Sequence, residues 1–253
     1  METMAEIPYL DDRRRRTRRV NNVSDVLRFL EGGGGDVYLT IFRGQRCDWP
    51  LQPKIARVNL LGGTAPEAER LILAAFRREA IPHLGLIPED EWEWLAIGQH
   101  HGLPTRLLDW TKNPLAALWF AVTEPTTEGP GVLWVFQPHQ RDLLHSHADE
   151  SPFDGEEIRV FEPRHVSPRI RAQAGVFTVH KRIGPQHKIP ALQEIQAQHR
   201  NLLKCVIPPE RFATIRGQLM DCGVHAASLF PDLDGVARRI AADHIMSTDI
   251  PMM

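Results

Sequence analysis

Apolar positions along the chain recur with two periods, and the places where one gives way to the other outline the elements. In "SDVLRFLE", Val26, Leu27 and Leu30 fall on one face at helical spacing; Ser24 is placed to cap the helix, and the glycines from Gly32 stop it. "VYLTIF" is β-branched and aromatic and predicts a strand, with Arg43 and Gly44 where it ends. From Ala65 to Leu84, Ala68, Leu71, Ile72, Ala75 and Phe76 line one side of an amphipathic helix that Pro82 disturbs near its end. "PEDEWEWLAIGQHHG" then predicts a helix with Pro88 at its start, acids in its first turn and Gly102 as its stop, so His100 and His101 lie in the last turn.

Thr105 to Thr111 reads as a loop before the next helix. Asn113 and Pro114 supply an N-cap and first residue for "LAALWFAV", which is apolar all round and so must be covered on every side. "GVLWVFQ" (131–137), "GVFTVH" (175–180) and "LLKCVIP" (202–208) predict strands, and the stretch between the first two reads as a long excursion with little regular structure. A helix over Pro209 to Asp221, with Gly223 beyond it, precedes a last helix capped by Asp232 or Asp234. Strands separated by helices imply an α+β fold, taken as one domain over residues 21–246, with a mobile basic arm at 1–20 and a tail at 247–253.

Bulk properties narrow the function classes. Hydrophobic residues are 42% and charged residues 25% of 253, an ordinary globular balance. A net charge of −2 gives the whole molecule no long-range attraction for nucleic acid or anionic membranes. Only the basic run Arg13 to Arg19 offers a local, weak nucleic-acid contact; a solvated arm explains it as well. Three cysteines without paired spacing argue against a disulfide scaffold or a cysteine-rich zinc site, and a reducing cytoplasm fits them. No run approaches the roughly 20 apolar residues of a membrane span.

Candidate chemistry concentrates in two segments, expected to line one site for an anionic ligand. Arg43 at a strand end can fork two hydrogen bonds to a phosphate, with Gly44 admitting the ligand to the backbone; pairing with Asp109 is the structural alternative. Gln45 can read an amide such as nicotinamide. In the second segment, Thr105, Arg106, Asp109 and Thr111 lie on the expected loop, where Asp109 is either a base of shifted pKa or an anchor for an arginine. Thr111 and Asn113 precede a helix N-terminus, which favours an anion or simple capping. His100 is either a ligand-contacting, proton-handling group or a helix-end histidine bonded to carbonyls; no metal-ligand pattern completes around it or His101. Gln173 precedes a strand, and Phe230 is a stacking platform or a core residue.

Taken in order, "FRGQ", Trp49-Leu51-Pro53-Arg57, "QHHGLPTRLLDWT...AALWFA", "RIRAQAGVFTV" and "SLFPDLDGVARRI" resemble the FRG domain, named for its Phe-Arg-Gly motif, from about Val37 to Ile240. That resemblance implies a bacterial or phage-linked domain. More loosely, "FRG" and "DWTKNPLAALWFA" look like two elements of the ADP-ribosyltransferase fold, whose third is a glutamate on a later strand. The likeness implies a split β-sheet core with surrounding helices and NAD as substrate, with Arg43 holding pyrophosphate or ribose and Thr111 orienting the nicotinamide ribose. No ExE or QxE stands on a clear strand, and Glu162 and Glu194 are the candidates for the missing carboxylate, Glu194 being preferred. The expected function is a nucleotide-binding, ADP-ribosyltransferase-like toxin or anti-phage effector with an unidentified macromolecular acceptor. A non-catalytic nucleotide sensor and a nuclease are the alternatives.

Overall fold

The computed structural model describes residues 17–31, 39–59, 64–123, 129–147, 150–164, 168–181, 189–195 and 201–244. Arg13 to Arg16, the glycine run, Val37, Tyr38 and the tail lie outside the described residues. The chain divides into two compact units, each built from separated stretches: 1–48, 113–137 and 202–253 in the first, 49–112 and 138–201 in the second. Strands and helices mix in both, so the fold class is α+β.

The first unit holds the strands β1 (Thr17–Arg19), β2 (Ile41–Gln45), β4 (Gly131–Phe136) and β7 (Leu202–Ile207), in the order β1-β7-β4-β2. β1 runs parallel to β7, and the remaining pairs are antiparallel. Residues 17–19, expected in a mobile arm, therefore form an edge strand whose backbone continues to bond through Val20 N–H to the Val206 carbonyl. β2 begins later than predicted and pairs with β4 from Ile41 to Gln45, which puts Arg43 in mid-strand instead of at a strand end.

One face of this sheet carries Phe42, Leu133, Val135 and Cys205 against three helices: α1 (Val23–Glu31), α4 (Pro114–Val122) and α6 (Phe212–Asp221). α4 is the central one, as its all-round apolarity required: Ala116, Ala117, Leu118, Ala121 and Val122 are buried, and Asn113 caps it by accepting from the N–H groups of Leu115 and Ala116. In α1 the cap is Asn22, which accepts from the Asp25 N–H at 2.9 Å, and not Ser24. Val23 and Val26 enter the core while Leu27 stays 39% exposed, so the buried stripe lies a few residues earlier than predicted. α7 (Ala226–Leu229) and α8 (Leu233–His244) follow, and Asp232 rather than Asp234 caps the last helix through the Gly235 N–H at 2.8 Å.

In the second unit β3 (Leu107–Thr111), β6 (Gly175–His180) and β5 (Ile158–Phe161) form an antiparallel run in the order β3-β6-β5. α2 (Ala65–Ala80) and α3 (Glu91–His100) bury Leu73, Trp92 and Leu95 in a cluster with Leu107, Phe161 and Phe177 from the strands. Residues 107–111 are thus a strand and not the expected loop. Their alternation is hidden because Leu107 and Leu108 are both apolar and the strand is covered on both faces. The predicted stripe of α2 is also rotated: Leu71 is 72% exposed and Glu69 is buried. A pattern of apolar residues could not include a carboxylate. The predicted excursion carries β5, α5 (Pro168–Ala172) and a short 3-10 turn at Gln140–Asp142. Among the described residues no helix is long and apolar enough to cross a membrane.

Candidate functional site

In the first unit, period-two alternation separates the residues of the Phe-Arg-Gly motif onto opposite faces of β2. Phe42 and Gly44 face α4, and a Cβ on Gly44 would lie 1.8 Å from the Ala117 carbonyl oxygen. The glycine is therefore required by the seating of α4, a correction to its expected role of admitting a ligand. Arg43 lies on the other face, half-buried, directly opposite Trp134. Gln45 shares that face; it is 5% exposed, and its Oε1 accepts from Trp134 Nε1 at 3.0 Å. The Gln45 amide oxygen is thus engaged within the protein.

Strand β3 organises the polar groups of the second unit. Leu107, Asp109 and Thr111 project from one face, while Leu108 and Trp110 project from the other, where Trp110 Nε1 donates to Thr178 Oγ1 at 2.9 Å. The last turn of α3 brings Gln99 to this strand: its Nε2 donates to Asp109 Oδ2 at 2.9 Å, and its Oε1 accepts from Thr105 Oγ1 at 2.7 Å. Thr111 Oγ1 donates to the Gln173 carbonyl at 2.5 Å. Next to Gln173, Ala174 adopts φ +47°, the one non-glycine residue with positive φ among the described residues. Such a conformation costs on the order of 1–3 kcal/mol and persists only where surrounding contacts impose it. Here those contacts are the helix-end bond to the Arg171 carbonyl and the bond that the Ala174 carbonyl accepts from the Lys112 N–H.

His100 ends α3, edge-on to His101 at 5.0 Å. Partial burial, and next the neighbouring His101 and Arg169, hold its pKa below the usual 6.5, with Asp109 pulling the other way. The ring is therefore neutral at physiological pH, able to accept or donate one hydrogen bond without its own charge.

Arg106 is an architectural residue and not a ligand-facing one. It is 1% exposed; its backbone N–H and Nε donate to the two oxygens of Glu69 at 2.6 and 2.7 Å, and Nη1 reaches the carbonyls of Pro152 and Phe153. Burial pushes the Glu69 carboxyl up, against the pull of Arg106. The Arg106–Asp109 pairing weighed from the sequence gives way to this partner on α2.

Phe230 packs with Ala116, Leu229, Trp119 and Phe120, with the Arg238 guanidinium 5.2 Å from its ring centre; it is 5% exposed and serves the core. Glu194 sits exposed in a 3-10 turn, where its carboxylate accepts from the Ala191 N–H at 3.3 Å. Glu162 pairs with Lys112 at 2.5 Å. Sequence reading missed one group altogether: Asp90, Glu93 and His147 bring potential metal-ligating atoms within 4.8 Å of one another. Each is already occupied, Asp90 by the His147 ring and the Glu93 N–H, and Glu93 by Arg164 and the Glu89 N–H. Asp90 and Glu93 are three residues apart, but His147 lies 54 residues beyond Glu93, so no local spacing completes the group.

These features define an α+β protein whose two polar centres lie on strands carrying an arginine-glycine and a threonine-aspartate motif. Residues 39–129 match the family model of the FRG domain, so an FRG domain is present over that span. The match takes in "FRGQ" and "QHHGLPTRLLDWT"; the motifs around Gln173 and Phe230 lie beyond it. No curated protein and no solved structure matches the chain.

Proposed function

We propose that the protein binds NAD and acts as an ADP-ribosyltransferase-like enzyme in the manner of a toxin or anti-phage effector. Arg43 carries the reading: a half-buried guanidinium in mid-strand, within the FRG match, on the face that the helix-seating Gly44 leaves to it. A guanidinium binds planar oxyanions with two parallel hydrogen bonds. In this reading Arg43 grips the pyrophosphate or ribose. Thr111, its hydroxyl fixed on the Gln173 carbonyl, orients the nicotinamide ribose, and Asp109, Thr105 and Gln99 form a polar frame beside it. His100, held neutral, contacts the ligand or handles a proton. Positioning and charge supply most of the catalysis for an oxocarbenium-like transition state. The stabilising carboxylate is assigned to Glu194.

Incubating the pure protein with labelled NAD and a cell lysate tests this. The expected result is nicotinamide release and a labelled acceptor, both lost in Arg43→Ala and Glu194→Gln. A second reading, a nucleotide sensor without turnover, draws on the tie between Glu194 and its own turn, which occupies the candidate carboxylate. Thermal stabilisation by NAD without consumption selects the sensor. Neither stabilisation nor consumption overturns both.

A further inference from the structure

The last helix of the first unit is nearly uncovered. Among the described residues of α8, only Gly235 is fully buried, and Arg239 is half-buried. A Cβ at position 235 would lie 1.9 Å from the Phe230 carbonyl oxygen, so this side of the first turn is pressed against the chain that leads into the helix. At about 100° per residue, the opposite side carries Leu233, Val236, Ala237, Ile240 and Ala241, an unbroken i, i+3, i+4, i+7, i+8 stripe. All five are exposed, Leu233 at 85%. A helix of 12 residues is marginal by itself in water and draws most of its stability from packing an apolar face. α8 has such a face and turns it to solvent.

The stripe and its charged flank are complementary to a second copy of themselves. When two such helices pack antiparallel about a two-fold axis, the same patch meets itself in reverse order. With Leu233 against Ile240 of the second copy, Val236 falls against Ala237, so large residues meet small ones and the helices can approach closely. A two-fold axis keeps like flanks together, and the same register therefore sets Asp234 beside Arg238 of the second copy and Arg238 beside its Asp234. The Arg238 guanidinium lies 5.2 Å from the ring centre of Phe230, which anchors the positive charge on this flank. Antiparallel axes also bring opposite helix ends together, as the backbone dipoles favour. A lipid surface fits less well, because α8 has no Trp, Tyr, Phe or Lys and its arginines are accompanied by Asp234.

We infer that α8 is a self-association surface: two copies of the chain pack their last helices antiparallel through Leu233, Val236, Ala237 and Ile240, with reciprocal Asp234–Arg238 ion pairs on one flank. A helix pair about 18 Å long makes a small interface, so the dimer forms and dissociates with concentration in the micromolar range. The inference is independent of the nucleotide reading, since none of these residues belongs to the polar centres on β2 and β3.

Analytical ultracentrifugation of the full chain across the micromolar range reads the mass directly. The wild type moves from monomer to dimer as concentration rises. Val236→Glu and Ile240→Glu each weaken association roughly tenfold or more, as burying a charge in an apolar contact requires. Both positions are exposed, so both variants fold, with the thermal midpoint at low concentration as the control. Asp234→Arg and Arg238→Asp are each monomeric alone, because like charges then face each other across the axis. An equimolar mixture of those two variants restores the dimer, since every facing pair is again of opposite charge. Asp234 and Arg238 are also i, i+4 neighbours on one helix, but that local pair stays broken in both chains of the mixture, so only a contact between copies accounts for the rescue. A wild type that stays monomeric, whether or not it binds phosphatidylserine vesicles, overturns the inference. So does a dimer indifferent to Val236→Glu and Ile240→Glu, or a mixture that stays monomeric.

Discussion

Single residues divide here by whether a partner inside the protein already answers them. Arg106 and Glu69 answer each other in the interior, each 1% exposed at the side chain, and neither charge survives there alone. Removing one partner of such a pair strands the other, a loss of about 3–5 kcal/mol. Glu69→Ala should lower the stability measured by urea unfolding by that amount; a change below about 1 kcal/mol would mean the pair is not buried in solution. His100 is the opposite case, a group tuned by its surroundings. Its folded pKa lies below 6.5, so the neutral ring's contribution to stability is present above that value and lost as pH falls through the folded pKa. Imidazole resonances followed by NMR should show His100 titrating below a free histidine. Asp109→Asn should lower it further, since the Asp109 charge raises it; a value at or above 6.5 contradicts the placement.

Elements show what the sequence could and could not reveal. The caps at Asn113 and the helix stop at Gly102, with φ +88°, were legible because they are local chemistry. So were β4, β6 and β7, which are rich in β-branched, aromatic and aliphatic residues. β3 was not: its leucine pair hides the alternation, and its Asp and Thr suggested a loop. α2 was misread by rotation, because its buried face includes Glu69, whose partner lies on another element. Most informative is β2, where Arg43 was legible as a candidate but Gly44 was assigned the wrong duty. A glycine facing a helix carbonyl and a glycine facing a ligand look alike in sequence. With a Cβ at position 44 falling 1.8 Å from the Ala117 oxygen, α4 cannot stay seated. Gly44→Ala should cost about 3 kcal/mol or more in chemical unfolding. An unchanged midpoint would remove α4 from its place on β2.

For the whole molecule, thiol chemistry reports whether the first unit is closed. Cys205 is buried in its core and its thiol is pushed up to about 12 by that burial, while Cys222 is exposed. A thiolate is the reactive form, so iodoacetamide should label Cys222 in the native state and Cys205 only after denaturant is added. Equal labelling of both would contradict the packing of that unit. The motifs "FRGQ" and "QHHGLPTRLLDWT" were readable along the chain and fall inside the FRG match, but the strand register that sets Arg43 opposite Trp134 and Trp134 opposite Lys204 was not. It joins positions 91 and 70 residues apart, for which a single sequence carries no signal. The most direct measurement of the central claim is calorimetric titration of NAD into the wild type and into Arg43→Ala, with matched thermal midpoints as the control for folding. Saturable binding to the wild type that weakens at least tenfold in the variant is the predicted result, as loss of a charge-assisted contact implies. Equal affinity in the two proteins, or none in either, contradicts it.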